Sequence, residues 1–113
     1  MTLDFRSLRQ PSIECIMLDD ENTVIHVVPP TQNDVKRLET MNRELQAIRA
    51  KTPDAAMQKK MYDFLAELMS HNEEDLKITG IELKTKYRLS LTHLLAFEKA
   101  YIEFIAEIKS AKN

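Results

Sequence analysis

Residues 90–108 read SLTHLLAFEKAYIEFIAEI, and their apolar positions recur at spacings of three and four. On a helix turning about 100° per residue, Leu91, Leu94, Leu95, Phe97, Tyr101, Ile102, Phe104, Ile105 and Ile108 share one half of the cylinder. His93, Ala96, Lys99, Ala100, Glu103, Ala106 and Glu107 share the other. This is the strongest periodic signal in the chain, so the helix is expected to organise the remainder, with Ser90 as its N-cap. Glu98 breaks the pattern, falling among Leu94, Leu95, Tyr101 and Ile102. A carboxylate there could be a catalytic acid with a raised pKa, but no second acid or nucleophile accompanies it, so its expected place is an edge of the core, a subunit interface, or a pairing with a Lys, Arg, Tyr or backbone N–H of another segment.

Earlier in the chain the pattern changes period. The runs IECIML (residues 13–18) and TVIHVV (residues 23–28) are short, rich in β-formers and separated by Asp19-Asp20-Glu21-Asn22, which predicts a β-hairpin. Both faces of the first strand contain apolar residues, so the hairpin is expected to be covered on both sides. Pro29-Pro30 stops the second strand because neither proline donates to a ladder. Thr31 and Asp34 have capping-box spacing and open a helix over about residues 32–50, with a narrow stripe of Val35, Leu38, Met41, Leu45 and Ile48. Thr52 as N-cap and Pro53 at the first helical position open the next, which runs to about Ser70 and buries Met57, Met61, Phe64, Leu65, Leu68 and Met69. The short connection predicts an antiparallel pair. Thr79 and Glu82 form another capping box, opening a short helix over about residues 80–87. Residues 1–10 are a leading arm or a short edge strand, and residues 109–113 should fray. The fold class expected is mainly α with a small N-terminal β-hairpin, an α+β arrangement around three to four helices. Residues 1–30 form the arm and hairpin, packed as one domain with a helical bundle over 31–113.

Composition narrows the function classes. Apolar residues at 43% and charged ones at 30% are those of a folded chain. A net charge of -2 offers no overall attraction for nucleic acid or an anionic membrane, which favours a protein or small-molecule partner. No apolar run approaches the length of a membrane span, and the start MTLDFRSLRQ does not read as a signal peptide. The lone Cys15, in an apolar strand, rules out an internal disulfide and suits a reducing compartment. Gly80 is the only glycine, which removes glycine-rich phosphate loops from consideration.

Candidate chemistry is sparse. His26, His71 and His93 have no metal-binding spacing, and a site would have to be assembled through space with carboxylates. Ser12, Ser70 and Ser90 lie at turns or caps, where local hydrogen bonds explain them. Lys77, Lys84, Lys86 and Arg88 flank two adjacent helices that could mimic a helix-turn-helix, but Asp75 and Glu82 dilute the charge and a solvated face is the simpler reading. Met57, Met61 and Met69 read first as core filling and second as an adaptable surface for an apolar partner. The residues therefore give no catalytic, cofactor-binding or metal site, and the expectation is a protein that is not an enzyme.

The overall plan resembles the tail assembly chaperones of long-tailed bacteriophages and prophages of Gram-positive hosts. The likeness is carried by Val28-Pro29-Pro30-Thr31 after the hairpin, by NEEDLKITGIEL (residues 72–83), and by Ala100-Tyr101-Ile102-Glu103-Phe104-Ile105 in the last helix. The resemblance implies a non-enzymatic role without cofactors, binding the long helical tape measure protein and helping recruit tail tube subunits. It implies action in the host cytoplasm and absence from the mature virion, with self-association open, no membrane contact, and nucleic acid unexpected as a partner. Many such genes also encode a longer frameshifted product, and Ala111-Lys112-Asn113 is compatible with a slippery run of adenines. Val35, Leu38, Met41, Leu45, Ile48, Met57 and Met61 are the residues expected to contact the partner or a second copy. The alternative is a small helical DNA-binding regulator of a mobile element.

Overall fold

The structure is a computed structural model, and it describes residues 1–5, 11–47 and 54–111. It is mainly helical: β1 (Ile13–Ile16), β2 (Val24–Val27), α1 (Gln32–Ala47), α2 (Ala55–Met69), α3 (Gly80–Thr85) and α4 (Leu91–Ala111) follow in that order. This is the α+β architecture expected from the sequence. Residues 1–5 form no strand, and Leu3 and Phe5 are exposed.

β1 and β2 pair antiparallel, with Ile13 opposite Val27 and Ile16 opposite Val24. The turn is held by Asp19, whose carboxylate accepts from the Thr23 N–H at 2.8 Å and from the Thr23 hydroxyl. Asn22 takes a left-handed φ of 50°, which a short amide side chain tolerates. Strand alternation sends Met17, Ile25 and Val27 into the core and Ile16, Leu18 and Val24 outward, where Ile16 is 61% exposed. The expectation of a hairpin covered on both faces is thus corrected. The helices lie against one face only, and the other carries its apolar side chains to the surface.

The outer edge of β2 is covered by chain from the α2–α3 connection. Val28 N–H donates to the His71 carbonyl at 2.8 Å, and Glu73 N–H to the His26 carbonyl at 3.0 Å. Asn72, 9% exposed, fixes that connection: its amide nitrogen donates to the Met69 and Leu76 carbonyls, and its oxygen accepts from the Glu74 and Leu76 N–H groups.

The organising element is α2, not α4. Met61, Tyr62, Phe64, Leu65, Ala66, Leu68 and Met69 of α2 are buried, and the helix contacts β2, α3 and α4. The Tyr62 hydroxyl donates to the Leu89 carbonyl at 2.7 Å, fixing the turn into α4. Gly80 lets α3 approach α2 closely, since a Cβ there would lie 2.9 Å from the Asp63 backbone nitrogen. The antiparallel expectation for α1 and α2 holds. Glu44 pairs with Lys60 and Arg37 with Glu67, so residue numbers rise along one helix as they fall along the other.

The caps are mostly as the sequence implies. Thr31 with Asp34 and Thr79 with Glu82 make reciprocal side-chain to backbone bonds. Thr52 and Pro53 lie outside the described residues, and the N-cap of α2 is Asp54, whose carboxylate accepts from the Met57 N–H at 2.8 Å. An ionised acceptor at the positive end of a helix does this work well. Ser90 precedes α4, and its own N–H donates to His93 Nδ1 at 2.9 Å. α4 continues through Lys109 to Ala111, past the point where fraying was expected.

Candidate functional site

α1 lies between two surface depressions, and the stripe singled out in the sequence lines them from beneath. On one side Met41 and Phe64 form the floor of a cleft of about 610 Å³ between α1 and α2. Its rim is largely neutralised, because Lys60 pairs with Glu44, Arg37 with Glu67 and Lys59 with Asp63. Arg37 also stacks over the Phe64 ring at 4.8 Å. On the other side, Val35, Leu38, Ile102 and Ile105 form the apolar floor of a groove of about 270 Å³ between α1 and α4. Glu39 and Asn42 border it on α1, and Ala106 and Lys109 on α4.

The residues expected to meet a partner separate accordingly. Leu38, Met41 and Met61 are 3%, 3% and 0% exposed, so they belong to the molecule's own core. Val35 and Met57 are half-buried and remain accessible. Ile48 lies outside the described residues, and so does the side chain of Leu45. Conversely, Leu95 and Ile102, expected inside, are 46% and 39% exposed. The apolar arc of α4 is wider than the core it meets.

Glu98 lies between those two exposed residues, yet it is 6% exposed, and its Oε2 has no hydrogen-bond partner. The expected pairing of that oxygen with another segment is therefore not made. Burial raises the Glu98 carboxyl above its ordinary value, favouring the protonated acid. The Tyr101 hydroxyl one turn on is likewise buried without a partner, and burial, with Asp34 as a lesser cause, holds it protonated. Tyr101 stacks on Phe97, with ring centroids 5.4 Å apart.

A second polar cluster joins three segments distant in sequence. His26 Nδ1 lies 2.6 Å from Glu74 Oε2, and its Nε2 lies 3.2 Å from Glu14 Oε2. The His26 N–H donates to the other oxygen of Glu74 at 2.7 Å. These contacts raise the imidazole pKa, with Glu74 the largest cause, and lower that of Glu74. His26, Glu73 and Glu74 each bring one ligand-type atom within 4.8 Å of the others. A tetrahedral zinc holds its ligand atoms about 3.3 Å apart, given metal–ligand bonds of about 2.0–2.1 Å. The 2.6 Å separation is instead that of a short, charge-assisted hydrogen bond. Sequence reading missed this cluster because 48 residues separate His26 from Glu74, and only the turn-forming character of Asn72 hinted at structure there.

The remaining candidates are structural. Cys15 is half-buried, and burial, with Glu14 beside it, pushes its thiol up to about 11, which leaves it unreactive near neutral pH. Ser70 exchanges hydrogen bonds with the Ile78 backbone. In the basic run, Arg88 pairs with Asp20 at 3.0 Å and Lys86 lies over the Tyr87 ring. α3 has six residues and α4 twenty-one, unlike the two short helices of a helix-turn-helix. The described residues contain no helix long and apolar enough to cross a membrane. The fold and its surfaces define a small mainly helical domain with an apolar groove. Comparison with protein families, curated proteins and solved structures finds no match.

Proposed function

We propose that the protein is a non-enzymatic tail assembly chaperone of a bacteriophage or prophage, holding the tape measure protein while tail tube subunits are recruited. It acts in the cytoplasm of the bacterial host and leaves before the particle is complete. The observation that carries this reading is the groove between α1 and α4. Val35, Ile102 and Ile105 present an apolar channel, bordered by Glu39 and Lys109. An amphipathic helix from a long helical partner can lay its apolar face there, with its polar flanks meeting the two charges. The resemblance carried by Val28-Pro29-Pro30-Thr31 and by residues 100–105 supports the same reading.

The test is co-expression with the tape measure protein of the same tail gene cluster, followed by affinity capture. Wild-type chain should retain the tape measure protein in solution. Ile102→Glu should fold normally, because the position is 39% exposed, yet bind at least about 100-fold more weakly, since a carboxylate would be buried without a partner. Equal capture by the variant would remove the groove from the mechanism. Failure of the wild type, together with duplex DNA binding that weakens with salt, would favour the regulatory reading.

A further inference from the structure

We propose that His26 is a proton-operated latch that fastens the α2–α3 connection to the outer edge of β2. The argument rests on donor counting. A neutral imidazole has one N–H and one bare lone pair. Here each ring nitrogen faces a carboxylate oxygen, Nδ1 toward Glu74 at 2.6 Å and Nε2 toward Glu14 at 3.2 Å. The imidazolium, donating from both nitrogens, satisfies both contacts, whereas a neutral ring satisfies one of them. In the neutral ring one lone pair would confront a carboxylate, and Glu14 and Glu74 would lose the positive charge between them.

The charged groups around the ring come from every segment that meets there. Glu14 is on β1, and Glu73 and Glu74 are in the connection. Two residues before Glu73, His71 faces Asp34 of α1 at 3.5 Å. The acidic groups favour the proton on His26, in accord with its raised pKa and the lowered one of Glu74. Backbone bonds make the latch structural. The His26 N–H reaches Glu74, the His26 carbonyl accepts from Glu73, and the Val28 N–H reaches His71. Deprotonation weakens the ring contact that clamps Glu74 and loosens the docked segment. The N–H groups of His26 and Val28 then become available at the edge of a two-stranded sheet, where an incoming strand could pair.

The test follows the ring nitrogens of His26 by NMR between about pH 5 and 8, and the amide exchange of His26, Val28 and Glu73 corrected for intrinsic rates. The wild-type ring should hold both protons past the ordinary value of 6.5. Protection of the three amides should fall several-fold as the ring titrates. Glu74→Gln should lower the midpoint and remove the pH dependence of protection. Glu14→Gln, remote from the docked backbone, should lower the midpoint in a chain whose fold is undisturbed, which keeps the test decisive if Glu74→Gln folds poorly. A wild-type midpoint at or below 6.5, or protection that ignores the titration, overturns the latch.

Discussion

Glu98 is the residue whose chemistry and surroundings are least matched. Its folded-state pKa is raised above the ordinary value of 4.5 by burial, so the native state holds the proton more tightly than the unfolded chain. The stability linked to that proton is present below 4.5 and is lost as pH rises through the folded value. Glu98→Leu removes the unpaired Oε2 and fits the apolar surroundings. It should stabilise the protein at neutral pH by about 1–3 kcal/mol, and by less in acid, as read by urea denaturation at both pH values. A loss of stability at neutral pH would mean that the carboxylate has an ionic partner. The sequence marked Glu98 as out of pattern, but whether its oxygens found donors depended on segments it does not adjoin.

At the scale of elements, local rules were legible and contacts were not. The Thr79–Glu82 box, the Thr31–Asp34 box and the Asp19–Asn22 turn all follow from side chains within four residues of the backbone groups they satisfy. The start of α2 moved from Thr52 to Asp54 because three consecutive residues, Thr52, Pro53 and Asp54, all carry helix-start signals. Gly80 shows the other side. Sequence reading used it only to exclude phosphate loops, while in the fold it admits the α2 backbone. Gly80→Ala should cost about 1–3 kcal/mol in thermal or urea unfolding despite the better helix propensity of alanine, because Asp63 belongs to a packed helix and cannot withdraw. An unchanged midpoint would show that α3 shifts freely.

For the whole molecule, shape sets which apolar residues stay outside. The radius of gyration is 15.4 Å, against about 13 Å for a compact chain of this length. The shortest extent of the backbone is 18 Å, close to the thickness of two packed layers of helix, whose axes lie about 8–10 Å apart with a Cα radius of about 2.3 Å each. A plate this thin has little interior, so the wide apolar arc of α4 overhangs it at Leu95 and Ile102, and the hairpin keeps Ile16 at the surface. The small interior also makes each core position expensive to disturb. Leu38→Asp should cost about 3–5 kcal/mol, most of the stability of a domain this size, and abolish cooperative unfolding rather than selectively weaken partner binding. A folded Leu38→Asp chain that merely lost its partner would return Leu38 to the binding surface.

By itself the sequence determined the elements, their order, most of their caps and the antiparallel pairing of the first two helices. Period and capping chemistry act over a few residues, and short connections leave few ways to pack. Only the tertiary structure decided that α2 is the centre. A hydrophobic period reports one face of one helix, whereas centrality depends on how many neighbours arrive, and β2, α3 and α4 all meet α2. It likewise decided that Leu38 and Met41 turn inward while Ile102 lines an open groove, and that His26 meets two carboxylates from distant segments. Those outcomes depend on distances between parts of the chain that no local pattern encodes.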